Sequence, residues 1–364
     1  MIFSIVIFIF TLLILVVIHE FGHFIMAKKF GVKVEEFGFG IPPRIWGKKI
    51  GETLYSLNLL PLGGFVKLLG EDEVDETGSK SLSPRDFRAK SPWQRIIIVV
   101  AGVVMNLLLA WVIFYSVIIY QNFSIIYPTP APAAFINYLE KGYPAESAGI
   151  KIGEQVVKVD GKPILQFDDA RNFIRAKNGQ AVTLTLADLN GQKQRQLTVT
   201  PKKTDKGDFL IGVGFSPLAI KHYETPVEKI FSGITYSWDL TKVTFLGFGK
   251  LGHDLGGGNF KAASQSVSGP VGLAGMSNDI LSAGPKALPF YLWFVGVISL
   301  TLSIFNVLPI PALDGGRLLF LVIEALTRKK VSEQIEKTVH QVGFAVLIML
   351  ALLITYSDIS KLIH

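Results

Sequence analysis

Apolar residues in this chain come in long, nearly unbroken runs. Residues 1–25, 95–120 and 287–308 are apolar over a spanning length, and a shorter run covers 339–357. A helix needs about 20 apolar residues to cross a bilayer, so the pattern predicts four spans. The first run is interrupted only by Ser4 and Thr11 before Ile18, and then "VVIHEFGHFIMAKKFG" at 16–31 places two histidines and a glutamate near its end.

The connections between the runs differ in charge. Lys28, Lys29, Lys33, Arg44, Lys48, Lys49, Lys67, Lys80, Arg85, Arg88 and Lys90 lie between the first two runs, and Arg328, Lys329, Lys330 and Lys337 precede the fourth. Positive charge marks cytoplasmic loops, so both connections are predicted to be cytoplasmic, with the termini and the long 121–286 segment outside. In that segment "PTPAP" at 128–132 reads as a stiff linker. Short β-rich runs with Gly and Asn-Gly turns continue to about Pro217. From Thr225, the residues Val227, Ile230, Phe231, Ile234, Trp238, Phe245 and Phe248 recur at helical spacing, which predicts an amphipathic helix packed on the small domain or on the membrane surface. "GHDLGGGNF" then breaks the pattern. The expected organisation is a first membrane half at 1–125, a β-rich domain at 126–217, a helix and connector at 218–286 and a second membrane half at 287–364.

Composition agrees with a polytopic α-helical membrane protein. Of the 364 residues 49% are hydrophobic, too many for an ordinary soluble enzyme. A formal charge of +7 raises nucleic acid as a partner, but the basic residues gather beside apolar runs, where membrane topology accounts for them. With no cysteine, disulfides and thiolate ligands are excluded. The N-terminus lacks a basic n-region and a small-residue cleavage site, so the first span is expected to be retained.

His19 and His23 are four residues apart and project from one helix face, a spacing that lets two imidazoles meet one zinc ion. Glu20 is placed to take a proton from a metal-activated water. Placing charge at mid-bilayer costs on the order of 2 to 3 kcal/mol, which weighs against an accidental match. A catalytic zinc needs a third protein ligand. His222, His253, His340 and His364 are candidates, with His340 read as an interfacial side chain near the start of the fourth span. Asp314 in "NVLPIPALDGGR" is the better one, because it follows the third apolar run closely and the first and third spans share a direction. Pro309 and Pro311 interrupt the helix, and Gly315 and Gly316 permit a tight turn that aims the carboxylate back into the bundle. The competing reading of Asp314 is a helix cap. Asn306 and Asn106 lie within the third and second spans, where a lone polar residue ordinarily packs helices together.

With these motifs the chain resembles the site-2 protease family of intramembrane zinc metalloproteases, in its bacterial branch with a periplasmic PDZ domain. The resemblance rests on "HEFGH", "NLLPLGGFVKLLGE" at 58–71, "AGVVMN" at 101–106, "YPAESAGIKIGEQVVKVDGKPI" at 143–164, "SGPVGLA" at 268–274 and "NVLPIPALDGG". It implies zinc held by His19, His23 and Asp314, with Glu20 as general base. It also implies a membrane-associated β-hairpin at 58–69, in which Gly63 and Gly64 are expected to form the turn and, with Phe65, to touch substrate. For Asn306 it implies a contact with the substrate backbone or oxyanion.

In the outer segment Pro144, Ala145, Ala148, Gly149, Gly153, Asp160 and Gly161 resemble a bacterial PDZ core, and "IGVGF" at 211–215 its peptide-facing strand. There is room for one such domain instead of a tandem pair, and it can act by binding peptide or as a steric gate. The activity implied is cleavage of transmembrane segments of single-span membrane proteins in the bacterial inner membrane. Anti-sigma factors after a first cut and remnant signal peptides are both open as substrates. The alternative is a non-catalytic membrane adaptor with a structural or empty metal site. An intact Glu20 counts against it, because a structural site has no need of a base.

Overall fold

The computed structural model describes residues 2–71, 83–127, 134–164, 167–189, 191–204, 207–216, 218–329 and 331–363. The expected linker at 128–132, Lys80, Pro217, Lys330 and His364 lie outside them. The chain forms two compact units, one of residues 1–114 with 254–364 and one of residues 115–253.

Helix α1 (Ile2–Lys29) ends where Gly31 takes a left-handed φ of +69° that closes the last turn and releases the chain. Strands β1 (Val34–Ile50) and β2 (Thr53–Leu68) follow as one long hairpin. Its turn is Gly51 and Glu52, between the paired Ile50 and Thr53. This corrects the expected turn at Gly63 and Gly64, both of which lie inside β2. Gly64 serves close approach instead, since a Cβ there would stand 3.1 Å from the Gly38 carbonyl oxygen and 3.6 Å from Cγ of Glu20. Glu36 to Phe39 pair with Lys67 to Gly64 on one side and with Leu54 to Leu57 on the other, so the 64–67 stretch forms an outer edge. Glu52 at the turn binds Lys28 at 2.6 Å and Arg85, and these two cations hold its carboxyl below its ordinary pKa. Helix α2 (Pro92–Tyr120) comes next.

In the second unit β3 (Ser124–Tyr127), β4 (Ala134–Leu139), helix α3 (Pro144–Ser147), β5 (Gln155–Val159), β6 (Lys162–Pro163), helix α4 (Phe167–Arg175), β7 (Val182–Ala187) and β8 (Arg195–Val199) are followed by β9 (Lys202–Lys203), β10 (Phe209–Leu210), β11 (Val213–Ser216) and β12 (Ala219–His222). The main sheet is antiparallel, in the order β11-β4-β5-β7-β8 with β6 beside β5. Ile136, Val156, Leu184, Leu186 and Ile211 fill its core with Ala170 and Ile174 of α4. Asp160 and Gly161, both at positive φ, make the β5–β6 turn. Strand β12 returns to pair with β3, so the unit continues past residue 217.

Helix α5 (Pro226–Gly256) buries Ser232, Gly233, Tyr236, Ser237 and Leu240. Tyr236 donates to the Ile126 carbonyl at 2.6 Å, and Lys221 donates to Asp239 at 2.9 Å. Of the two surfaces expected for the apolar series, the small domain is not the one it covers: Val227, Ile230, Phe231, Ile234, Trp238 and Phe245 are exposed, which suits the membrane surface.

The chain re-enters the first unit through α6 (Phe260–Gln265), α7 (Pro270–Ser282), α8 (Leu288–Val307), α9 (Asp314–Thr327) and α10 (Glu333–Ile363). Among the described residues four helices, α1, α2, α8 and α10, are long and apolar enough to cross a membrane. Hydrogen bonds join three of them: Thr11 with Tyr291 at 2.9 Å, Ser299 to the Asn106 carbonyl at 2.8 Å and Ser303 to the Val103 carbonyl at 3.0 Å. Val342, Phe344, Leu350 and Leu352 of α10 are exposed, which suits a lipid-facing helix.

Candidate metal centre

Helical geometry stacks His19 and His23 one turn apart on α1, with ring centroids separated by 4.8 Å. Their Nε2 atoms are 3.2 Å apart. Asp314, the first residue of α9, brings Oδ2 to 2.9 Å from His19 Nε2 and 3.3 Å from His23 Nε2. Four donors about 2.1 Å from a tetrahedral zinc stand about 3.4 Å apart, so the three separations of 2.9, 3.2 and 3.3 Å fit such an ion. Two imidazoles and one carboxylate are also a zinc donor set. His19, His23 and Asp314 are the group of potential ligands found among the described residues.

The surroundings aim each donor. His23 Nδ1 lies 2.8 Å from the Ile98 carbonyl, which accepts its proton and leaves the Nε2 lone pair facing Asp314. His19 Nδ1 lies 3.5 Å from the buried Asn106 amide. A ring that offers Nε2 to a cation keeps its proton on Nδ1, so the amide orientation that fits sets Oδ1 of Asn106 towards His19. Gly102 allows the contact of α2 with both rings, since a Cβ there would stand 2.8 Å from His19 Cε1 and would collide with His23 Nε2.

Asp314 is presented by the break expected from Pro309 and Pro311. Helix α8 ends at Val307, and α9 begins at Asp314. The left-handed turn between them falls on Ala312, with φ +72°, and not on Gly315 or Gly316. Those glycines start α9, where the backbone crosses Leu308 and Ile310 too closely for a Cβ. A cavity of about 570 Å³ reaches Asp314 and is lined by Glu71, Arg95, Arg317, Glu324 and His340 among others. Arg95 pairs with Glu324 at 2.6 Å, and Arg317 pairs with Glu71.

Glu20 is half-buried beside this cluster, and its carboxylate has no hydrogen-bond partner among the described residues. Gly64 lies against it, so one of the three expected substrate-contact residues of β2 is brought to the centre. Gly63 faces Ile41 instead, and the Phe65 ring covers Gly38. Asn306, in the last turn of α8, is half-buried and makes no side-chain hydrogen bond among the described residues. His340 Nδ1 accepts from the Ala312 amide at 3.0 Å, and His222 pairs with Ser124 at 2.8 Å. The Ile98 carbonyl carried no signal in the sequence. Asn106 did, as a polar residue in an apolar span, but its partner was not readable from it.

The model of Peptidase family M50 matches residues 7–350. A Clostridium perfringens protein provisionally named a zinc metalloprotease is 35% identical over 346 residues, covering 95% of each chain. Zinc metalloprotease RasP of Geobacillus kaustophilus is 31% identical over 425 residues, again covering 95% of each. Among solved structures, the PDZ domain of an SdrC-like protein of Listeria monocytogenes matches 24% of this chain and 92% of its own length, at 18% identity and a TM-score of 0.21. The match along nearly the whole chain, together with the His19, His23 and Asp314 cluster, identifies the protein as a member of Peptidase family M50 and a multi-pass membrane zinc metalloprotease.

Proposed function

We propose that this enzyme cleaves a peptide bond within or beside a transmembrane helix of a single-span membrane protein, with His19, His23 and Asp314 as zinc ligands and Glu20 as general base. The observation that carries the reading is a Glu20 carboxylate with no hydrogen-bond partner among the described residues, beside three converging donors, two of them on the same apolar helix. Zinc held there supplies a Lewis acid that polarises a carbonyl and acidifies water. Glu20 accepts the proton of the attacking water and returns it to the departing amide nitrogen. The cavity beside Asp314 gives water room to approach, and its ion-paired lining tolerates that water.

A transmembrane helix hides its amides, so the substrate must be extended before it is cut. The 64–67 edge of β2 supports strand addition as the way this happens, because its outer side has no partner strand in the described register and Gly64 lies beside Glu20. Asn306 is assigned a donor role to the substrate backbone or oxyanion. Anti-sigma factors after a first cut and remnant signal peptides both present such a helix. The enzyme is placed in a bacterial inner membrane, with the centre towards the cytoplasm and the β-rich domain outside, on the distribution of Lys and Arg. The domain's edge strand β11 borders a cavity of about 150 Å³ lined by Ile174, Arg175 and Phe215, which suits a peptide contact. Incubating the purified enzyme with a single-span substrate in lipid and locating the cut by mass spectrometry tests the proposal. A scissile bond confined to soluble, extramembrane sequence contradicts it.

A further inference from the structure

Helix α10 supplies no ligand, yet it touches the loop that presents Asp314 at two adjacent places. At Gly343 the helix comes so near Pro311 that a Cβ would stand 3.0 Å from the Pro311 carbonyl carbon and would collide with its Cβ. One turn earlier, His340 Nδ1 accepts the Ala312 amide proton at 3.0 Å. Ala312 holds φ at +72°, a conformation that a residue with a Cβ adopts only when its surroundings impose it. Accepting at Nδ1 leaves the proton of a neutral ring on Nε2, which has no partner among the described residues, and the ring packs 6.0 Å from Phe320 of α9. The imidazole is thus a backbone acceptor for the residue two positions before Asp314.

We infer that His340 is a positioning residue: by holding Ala312 left-handed, it sets Asp314 at the distance from His19 and His23 that zinc requires. The inference rests on the ligand assignment proposed above. It gives the fourth span a task in the reaction, although the span stays outside the ligand set.

The test is zinc affinity of the full-length protein, measured by competition with a chromophoric chelator. His340→Leu removes the acceptor and should weaken zinc binding about tenfold or more, the scale of losses when a partner behind a metal ligand is removed. Glycine adopts positive φ without penalty, so adding Ala312→Gly to His340→Leu should restore most of the loss. In His340→Asn the amide oxygen takes the place of Nδ1 and should keep affinity within about threefold of wild type, whereas His340→Gln, which reaches towards the Nε2 place, should not. Unchanged affinity in His340→Leu, or a loss that Ala312→Gly leaves in place, overturns the inference and makes His340 a packing residue. Should His340→Leu not fold, equal affinities of the Asn and Gln variants overturn it as well. Asp314→Ala separates the two levels: zinc binding as tight as wild type in that variant defeats the ligand assignment itself, while its loss together with an intact His340→Leu defeats only the role of His340.

Discussion

The side-chain amide of Asn106 lies 3.5 Å from Nδ1 of His19, on the side of the ring away from Asp314. With its Oδ1 turned to the ring, this residue of α2 is the acceptor for an Nδ1 proton of His19 on α1, the tautomer that frees Nε2 for a metal. Asn106→Ala should weaken zinc binding by about 10- to 100-fold, the range for lost partners of metal-ligating histidines. Asn106→Asp, which retains an acceptor, should lose less. Chelator competition on both variants checks this, and equal losses would mean that the residue only packs α2 against α1.

Gly102 makes a second requirement of α2. An added methyl would occupy space held by the two imidazoles, so Gly102→Ala should lower zinc content sharply with little change in helix content. Metal analysis beside circular dichroism measures both. Full zinc content would show that the helices separate freely at this crossing.

The hairpin gives a prediction of opposite kind. Gly64→Pro removes an amide and restricts the β2 edge without touching a ligand, so it should reduce cleavage while zinc affinity changes little. Comparable loss of both would assign β2 a purely structural task.

In the β-rich domain Asp160 binds Lys177 at 2.7 Å and accepts from the Thr183 amide at 2.8 Å. The ion pair with Lys177 first, then the Thr183 amide, hold its carboxyl below the ordinary value. A pKa lowered by folding adds stability that is present above the unfolded-state pKa and is lost as the pH falls through the folded one. The protection of amides near Thr183, their exchange rate relative to the unfolded chain at the same pH, should therefore fall in acid, below the ordinary carboxylate range of about 4. In Asp160→Asn the protection should be lower at neutral pH and should lack that acid step.

Much of this was legible because it depends on local pattern. The four apolar runs, the i, i+4 histidines and the short β-rich runs before Pro217 are properties of neighbouring residues, and the structure carries all three. The hairpin was misread because Gly63 and Gly64 look like a turn, whereas the backbone turns at Gly51 and Glu52 and Gly64 serves the packing of β2 on α1. Helical spacing in α5 was read correctly, but spacing does not say which face is covered, and the covered face is Ser232, Gly233, Tyr236, Ser237 and Leu240. Asn106 with His19 and His340 with Ala312 are long-range pairs, and a single chain carries no local mark of such a partner.

The central claim is that Glu20 moves the proton while His19, His23 and Asp314 hold the metal. Glu20→Gln preserves the size of the side chain but not its basicity, so zinc content and cleavage of a single-span substrate measured on that variant separate the two tasks. The account predicts one zinc per chain, as in wild type, with turnover reduced by about 100-fold or more. Turnover near the wild-type rate at full zinc content would contradict it.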